Sequence, residues 1–290
     1  MYLSLCKSTD IFTSPLHDIF IMLPHSGVNT LDVLRLGMYG KKLVYHAKIN
    51  NPTGEGKMNE QKGQRQYVNY AFYKLDPAWR HLPAPDREAG KQAFITAIEG
   101  ASPGVITVPY SLVGIRAEVD LMLWRISYEL SAFQEMSTRM VSSGLGQSLH
   151  PVYSYLAMTK RSIYVDHHSH EGQESKRLTI VPGESKYLFV YPFVKTRAWY
   201  RLPKADRQRM MDAHIEIGHR FPTVKINTTY SFGLDDAEFV VAFESDYPND
   251  FLDLVMALRE TEGSVYTERD TPIFTCVRKN LKDVLNDLGG

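Results

Sequence analysis

The sequence contains few features that would direct it to a membrane, a nucleic acid or a disulfide scaffold. Only two cysteines occur in 290 residues, Cys6 and Cys276. They lie in different regions without metal-ligand spacing. That excludes a disulfide framework and fits a reducing, cytoplasmic setting. Net charge is missing too: Lys+Arg and Asp+Glu both number 33. There is no electrostatic case for nucleic acid or an anionic membrane. No apolar run approaches the ~20 residues of a membrane span, and the longest near the start is only Ile19 to Leu23. No basic-then-apolar signal opens the chain. Gly104, Gly114 and Gly233 stand near turns and form no phosphate-binding fingerprint. No nucleophile motif frames the Ser, His and Asp residues.

What is present is an ordinary globular composition, 43% apolar and 23% charged, with ample material for a core. Residues 1–57 read as an N-terminal extension. They close on the breaker cluster Asn50-Asn51-Pro52-Thr53-Gly54, which makes Met58 a candidate start. Beyond it the chain is written twice. With Trp79 set on Trp199, Leu82-Pro83 falls on Leu202-Pro203 and Asp86-Arg87 on Asp206-Arg207. Tyr110-Ser111 then falls on Tyr230-Ser231. After a one-residue gap, Ala117-Glu118 falls on Ala237-Glu238. Each half reads strand, helix, strand, strand, helix. The expected fold is α+β: two tandem ferredoxin-like repeats forming an antiparallel β-barrel or sheet core, with helices outside. Repeat 1 is expected over 58–144, a linker over 145–186 and repeat 2 over 187–290.

The chemistry concentrates in Tyr187 to Arg220. Tyr191, Phe193 and Lys195 stand at i, i+2 and i+4 of a strand, so one face presents all three. A half-buried strand with a packed Tyr and a snorkelling Lys is the plainer reading. A cation beside two aromatics nevertheless implies a nearby anion or an open pocket. Lys74 stands near the matching position of repeat 1. His214 lies on the apolar side of the following helix, among Met210 and Met211. Such a His is ordinarily a satisfied core residue. Here, however, repeat 1 carries Phe94 at the same place, 15 residues after its Trp. A packing residue in one half is an imidazole in the other, so the second half is expected to carry the chemistry. An imidazole in an apolar pocket suits an axial haem ligand. The run Asp166-His167-His168-Ser169-His170-Glu171 offers metal-ligating residue types, yet in its polar linker it reads as a solvated loop.

Together these residues resemble the chlorite dismutase superfamily. The resemblance rests on the doubled ferredoxin-like chain, the Tyr-Pro-x-x-Lys strand (191–195) and the His-x-x-x-Gly helix (214–218). Tyr-Ser-Phe-Gly-Leu-Asp-Asp (230–236), Leu-Arg-x-Thr-Glu (258–262) and Arg-Asp-Thr-Pro-Ile (269–273) support it. It covers roughly residues 65–278 and is nearest to the coproheme-decarboxylating branch. The resemblance implies an oxidoreductase of haem biosynthesis acting on coproheme with hydrogen peroxide to give haem b. His214 would be the axial iron ligand, with Glu262 the partner of its other nitrogen. Tyr191 would become a radical and take hydrogen from a propionate. Lys195 would contact a propionate and assist proton movement. Arg177, Tyr164, Arg259 and Ser264 would hold propionates, and Phe193 and Ile226 would line the ring. A ring of five copies is implied as well. Ile226 stands where one branch carries Gln and the chlorite-degrading enzymes carry Arg. The missing Arg argues against chlorite chemistry. Another branch brings in a His from the linker, here His167, His168 or His170. A haem peroxidase, a chlorite-degrading enzyme or a haem carrier or sensor are the alternative functions.

Overall fold

The computed structural model describes residues 19–23, 32–39, 42–46, 65–101, 104–164 and 179–289. The chain divides into two compact units, Met1–Asn59 and Glu60–Gly290. In the first unit β1 (Ile19–Leu23), β2 (Asp32–Tyr39) and β3 (Lys42–His46) form an antiparallel meander.

The second unit begins with β4 (Tyr67–Leu75), α1 (Ala84–Glu99), β5 (Ile106–Ser111), β6 (Leu121–Ser127) and α2 (Leu130–Val141). Strand β7 (Leu149–Met158) follows, within the span expected as linker. Next come β8 (Tyr187–Lys195), the short α3 (Arg197–Arg201), α4 (Lys204–His219), β9 (Lys225–Tyr230) and β10 (Phe239–Ser245). The chain ends with α5 (Pro248–Arg259), β11 (Thr267–Arg269), β12 (Phe274–Arg278) and α6 (Leu281–Asp287). Among the described residues no helix is long and apolar enough to cross a membrane.

The strands run β10-β9-β7-β4-β6-β5-β12-β8-β11, and β10 also pairs with β8. That second pairing closes eight strands into an antiparallel barrel, which leaves few free edges. Alternation along each strand then sorts the side chains. Val68, Tyr70 and Phe72 of β4 point inward and meet Trp124, Val190 and Phe274. The outer face is covered in two places. Phe94, Phe133 and Met136 of α1 and α2 pack on Leu121 and Leu123 of β6. Phe251 and Leu254 of α5 pack on Phe189 and Phe243. Every residue of β6 is buried, because one face fills the barrel and the other lies under helices.

Backbone hydrogen bonds fix how the repeats superpose, and they correct the expected register. Leu112 N–H donates to the Asp120 carbonyl, as Ser231 N–H does to that of Glu238. Asp120 N–H donates to Tyr73, as Glu238 N–H does to Phe193. Asp120 is therefore the counterpart of Glu238, and Leu112 that of Ser231. The expected matches of Tyr110 with Tyr230 and Glu118 with Glu238 are off by one and two residues. A one-residue slip moves a side chain to the other face. Tyr110 fills the barrel, whereas the Tyr230 ring lies outside it against Phe239, centroids 5.2 Å apart.

The seam between β7 and β9 has a single backbone register pair, Met158 with Tyr230. The Tyr-Ser-Phe-Gly-Leu-Asp-Asp motif extends it with side chains. The Ser231 hydroxyl donates to the Leu156 carbonyl at 2.7 Å, and the Asp235 carboxylate accepts from Leu156 N–H at 2.7 Å. Asp235→Ala strips that amide of its acceptor. We expect it to cost about 1–3 kcal/mol, read as a lower urea midpoint at unchanged m-value.

Candidate active site

The outer face of β8 carries Tyr187, Phe189, Tyr191, Phe193 and Lys195. Register continues this face through Phe243, Val241 and Phe239 of β10 to Ile226, Thr228 and Tyr230 of β9. Residues one turn apart on α4 share a helical face, so Met210, His214 and Gly218 form one stripe. Repeat 1 carries Gly90, Phe94 and Ile98 in the same stripe. There Phe94 is fully buried and Ile98 is 6% exposed, and they fill the space between helix and sheet. In repeat 2 the same two stripe positions are His214 and Gly218. A Cβ placed on Gly218 would lie 3.8 Å from Ile226 Cδ1. Ile226 is 39% exposed and Thr228 is also exposed. Beside Gly218 the repeat 2 face therefore leaves Ile226 and Thr228 exposed.

His214 is half-buried and makes no hydrogen bond or ion pair with a described residue. Burial first, and the Lys195 charge second, push its pKa down to about 4. The imidazole is therefore neutral at ordinary pH, with a lone pair free for a metal. The shift also has a stability consequence. Its ordinary value is 6.5, so the unfolded chain takes up the proton more readily than the folded one. Stability is intact above 6.5 and falls as pH drops toward 4. We expect the apoprotein to lose about 1 kcal/mol from this group between pH 7 and 5, allowing for its partial exposure. Urea unfolding at the two pH values should show the loss, and His214→Phe should remove it.

Tyr191 is 8% exposed and stacks on Phe243, centroids 5.9 Å apart. Burial holds its pKa well above the usual phenol range; Asp270 adds to this and Arg259 opposes it. The phenol stays protonated, and its hydroxyl bonds to no described residue. The Lys195 ammonium donates to the Gly263 carbonyl at 2.8 Å and lies over the Trp199 ring at 4.7 Å and Phe193 at 5.4 Å. Burial draws it down to about 8, against the pull of the Glu238 carboxylate. Its counterpart in repeat 1 is Leu75 and not Lys74. Leu75 N–H reaches Asp120 at 3.0 Å as Lys195 N–H reaches Glu238 at 2.8 Å. Lys74 instead turns to the Ala117 carbonyl and Asp120. Lys195 is thus a further departure of repeat 2 from repeat 1, and Tyr191 in place of Ala71 is another.

The remaining expected residues divide. Phe193 lies on the open face, its ring edge-on to Phe239. Arg259 is ion-paired with Asp270, and Ser264 donates to the Arg259 carbonyl at 2.7 Å. The Tyr164 hydroxyl accepts from Arg207 at 3.4 Å and its ring meets Trp199 edge-on. Arg177 and the 166–171 run lie outside the described residues. Glu262, expected beside His214, has both oxygens on the Arg209 fork at 2.7 and 3.0 Å. Arg209 sits five residues before His214, about 140° around the helix. The bidentate pair occupies both Glu262 oxygens. Gly218, Glu238 and Asp270 were not singled out individually. The repeat already signals the first, as Ile98 falls on Gly218 at the spacing that sets Phe94 on His214.

No group of three or more metal-ligating side chains occurs among the described residues. A lone neutral imidazole holds iron firmly only when the metal brings its other ligands, as in a porphyrin. The open face beside Gly218 and the cations of Lys195 and Arg259 fit an anionic macrocycle of that kind. The family profile described as chlorite dismutase matches residues 87–279. The chain belongs to the chlorite dismutase family. A coproheme decarboxylase from Mycolicibacterium smegmatis is 31% identical over 182 residues, covering 62% of this chain and 75% of the relative. A chlorite dismutase variant from Candidatus Nitrospira defluvii superposes with TM-score 0.71 at 25% identity, covering 78% of this chain and 96% of that one. A haem-binding protein from Thermus thermophilus shares the fold, with TM-score 0.70 at 24% identity over 78% of this chain and 95% of its own. As a chlorite dismutase family member the chain is an enzyme that works with haem.

Proposed function

We propose that the protein decarboxylates coproheme to haem b with hydrogen peroxide, in the cytoplasm and as a ring of five copies. The observation that carries this reading is Tyr191, a buried, protonated phenol on the face that α4 leaves open at His214. Repeat 1 has Ala71 at that position, so packing alone does not require an aromatic hydroxyl there. When bound, the iron porphyrin draws oxidising equivalents from peroxide.

His214 would hold the iron through its neutral imidazole. Tyr191 gives up its hydroxyl hydrogen and recovers one from the propionate carbon β to the carboxylate. That carbon pair becomes a vinyl group as carbon dioxide leaves. Each propionic acid and peroxide thus yield one vinyl, one carbon dioxide and two waters. Lys195 holds a propionate and passes a proton, which an amine with a pKa near 8 does readily. Arg177, Tyr164, Arg259 and Ser264 orient the remaining carboxylates. Phe193 and Ile226 bound the ring. Ile226 offers no cation to hold an oxyanion over the iron, so chlorite is not the substrate this face favours.

The test is titration with coproheme followed by peroxide, read by mass spectrometry. The expected product has lost two carboxyl groups. Binding without such loss would leave a haem carrier or peroxidase.

A further inference from the structure

Glu238 immediately precedes β10, is 7% exposed and has no role in the reaction as drawn above. Its Oε2 accepts from the Lys195 backbone N–H at 2.8 Å and from the Tyr200 hydroxyl. Its Oε1 is buried and accepts no hydrogen bond. The Arg197 guanidinium, 86% exposed, stops 3.7 Å short of it.

Repeat 1 builds the same corner and shows what is unusual here. Asp120 accepts from Leu75 N–H through one oxygen, and its other oxygen takes the Lys74 ammonium at 3.0 Å. Both oxygens are satisfied, and the charge is paired. In repeat 2 the residue at the place of Lys74 is Val194, and the residue at the place of Leu75 is Lys195. The cation has moved one residue along the strand, hence to its other face. The acid has kept the backbone contact and exchanged a lysine at 3.0 Å for the exposed Arg197 at 3.7 Å. A buried carboxylate oxygen without a donor carries a desolvation cost, and such gaps in native proteins usually mark a function.

We propose that Glu238 is a positioning residue for Lys195. It pins the last peptide of β8, so that Nζ is aimed across Trp199 toward Gly263. It also keeps a carboxylate behind that amine, offset only by the exposed Arg197 guanidinium. The same oxygen ties down Tyr200 of α3, which fixes the chain that leads from Lys195 into the His214 helix. The consequence for turnover rests on the decarboxylase reading; the pinning of the peptide does not.

Glu238→Gln retains an oxygen for both donors and removes the charge, while Glu238→Leu removes both. In the full-chain apoprotein, amide hydrogen exchange at Lys195 should be unchanged in the Gln variant and faster in the Leu variant. With coproheme and peroxide, Glu238→Gln should bind within about twofold of the parent and turn over about tenfold more slowly. Placed on Lys195→Ala, it should add nothing, because a residue acting through Lys195 has no effect once Lys195 is gone. Parental turnover in the Gln variant, or additive losses in the double variant, would overturn the proposal. So would unchanged exchange in the Leu variant, even if the parent proved to have no decarboxylase activity.

Discussion

Tyr191→Phe should bind coproheme as the parent does and form no vinyl group. The ring keeps its stacking on Phe243, and loses only a hydroxyl that bonds to no described residue, so folding and affinity have little to lose. Binding within about twofold of the parent is expected, since a hydroxyl without a protein partner contributes little. The chemistry has everything to lose. A phenol held protonated by burial supplies a hydrogen atom, and a phenyl ring has none at usable energy. Turnover should fall by at least about a hundredfold, a loss of roughly 3 kcal/mol in transition-state stabilisation. The product assay is mass spectrometry after peroxide addition, with the Soret band reporting binding in the same sample. A variant that still formed vinyl groups at the parental rate would remove Tyr191 from the mechanism and leave the decarboxylase reading without its main support.

Rebuilding the repeat 1 stripe in repeat 2 should close the site. The double change His214→Phe with Gly218→Ile restores the Phe94 and Ile98 pattern, both of which are buried in repeat 1. Each added side chain gains roughly 1.5–3 kcal/mol if fully buried. Strain from fitting them returns about 1–3 kcal/mol, because the sheet below carries Tyr191 and Ile226 in place of the repeat 1 residues. A net gain of about 2 kcal/mol corresponds to a Tm rise of roughly 4–8 °C for a unit of this size. Coproheme affinity should drop by more than about a hundredfold, since even a supporting residue around a metal is worth about 10–100-fold. Opposite movements of stability and binding are the diagnostic result. A variant that bound coproheme with unchanged affinity would place the ring elsewhere on the molecule.

Much of the candidate site is legible in the sequence. The doubling of the chain, the two Trp anchors and the exchange of Phe94 for His214 are all local patterns. Periodicity of 3.6 placed His214 on the covered side of its helix, and periodicity of 2 placed Tyr191 and Lys195 on one strand face. Those periods come from backbone geometry and hold whatever the helix and strand pack against. Three-dimensional structure decided what sequence spacing does not encode. Closure of the barrel depends on β10 pairing with β8 as well as β9, and no local pattern records a second partner. A gap of one residue in the repeat is trivial in an alignment, yet it reverses a side chain from barrel to surface, as at Tyr110 and Tyr230. Lys74 and Lys195 look interchangeable one position apart, and hydrogen bonds to Asp120 and Glu238 show that they face opposite ways. The family resemblance implied Glu262 as the partner of His214, and in the folded chain Arg209 offers that carboxylate two parallel donors. The choice among competing partners is made by distance and direction in the folded chain. By itself the sequence determined which half carries the imidazole; tertiary structure decided which side chains of the sheet face it, because register between strands is set by pairing and not by local spacing.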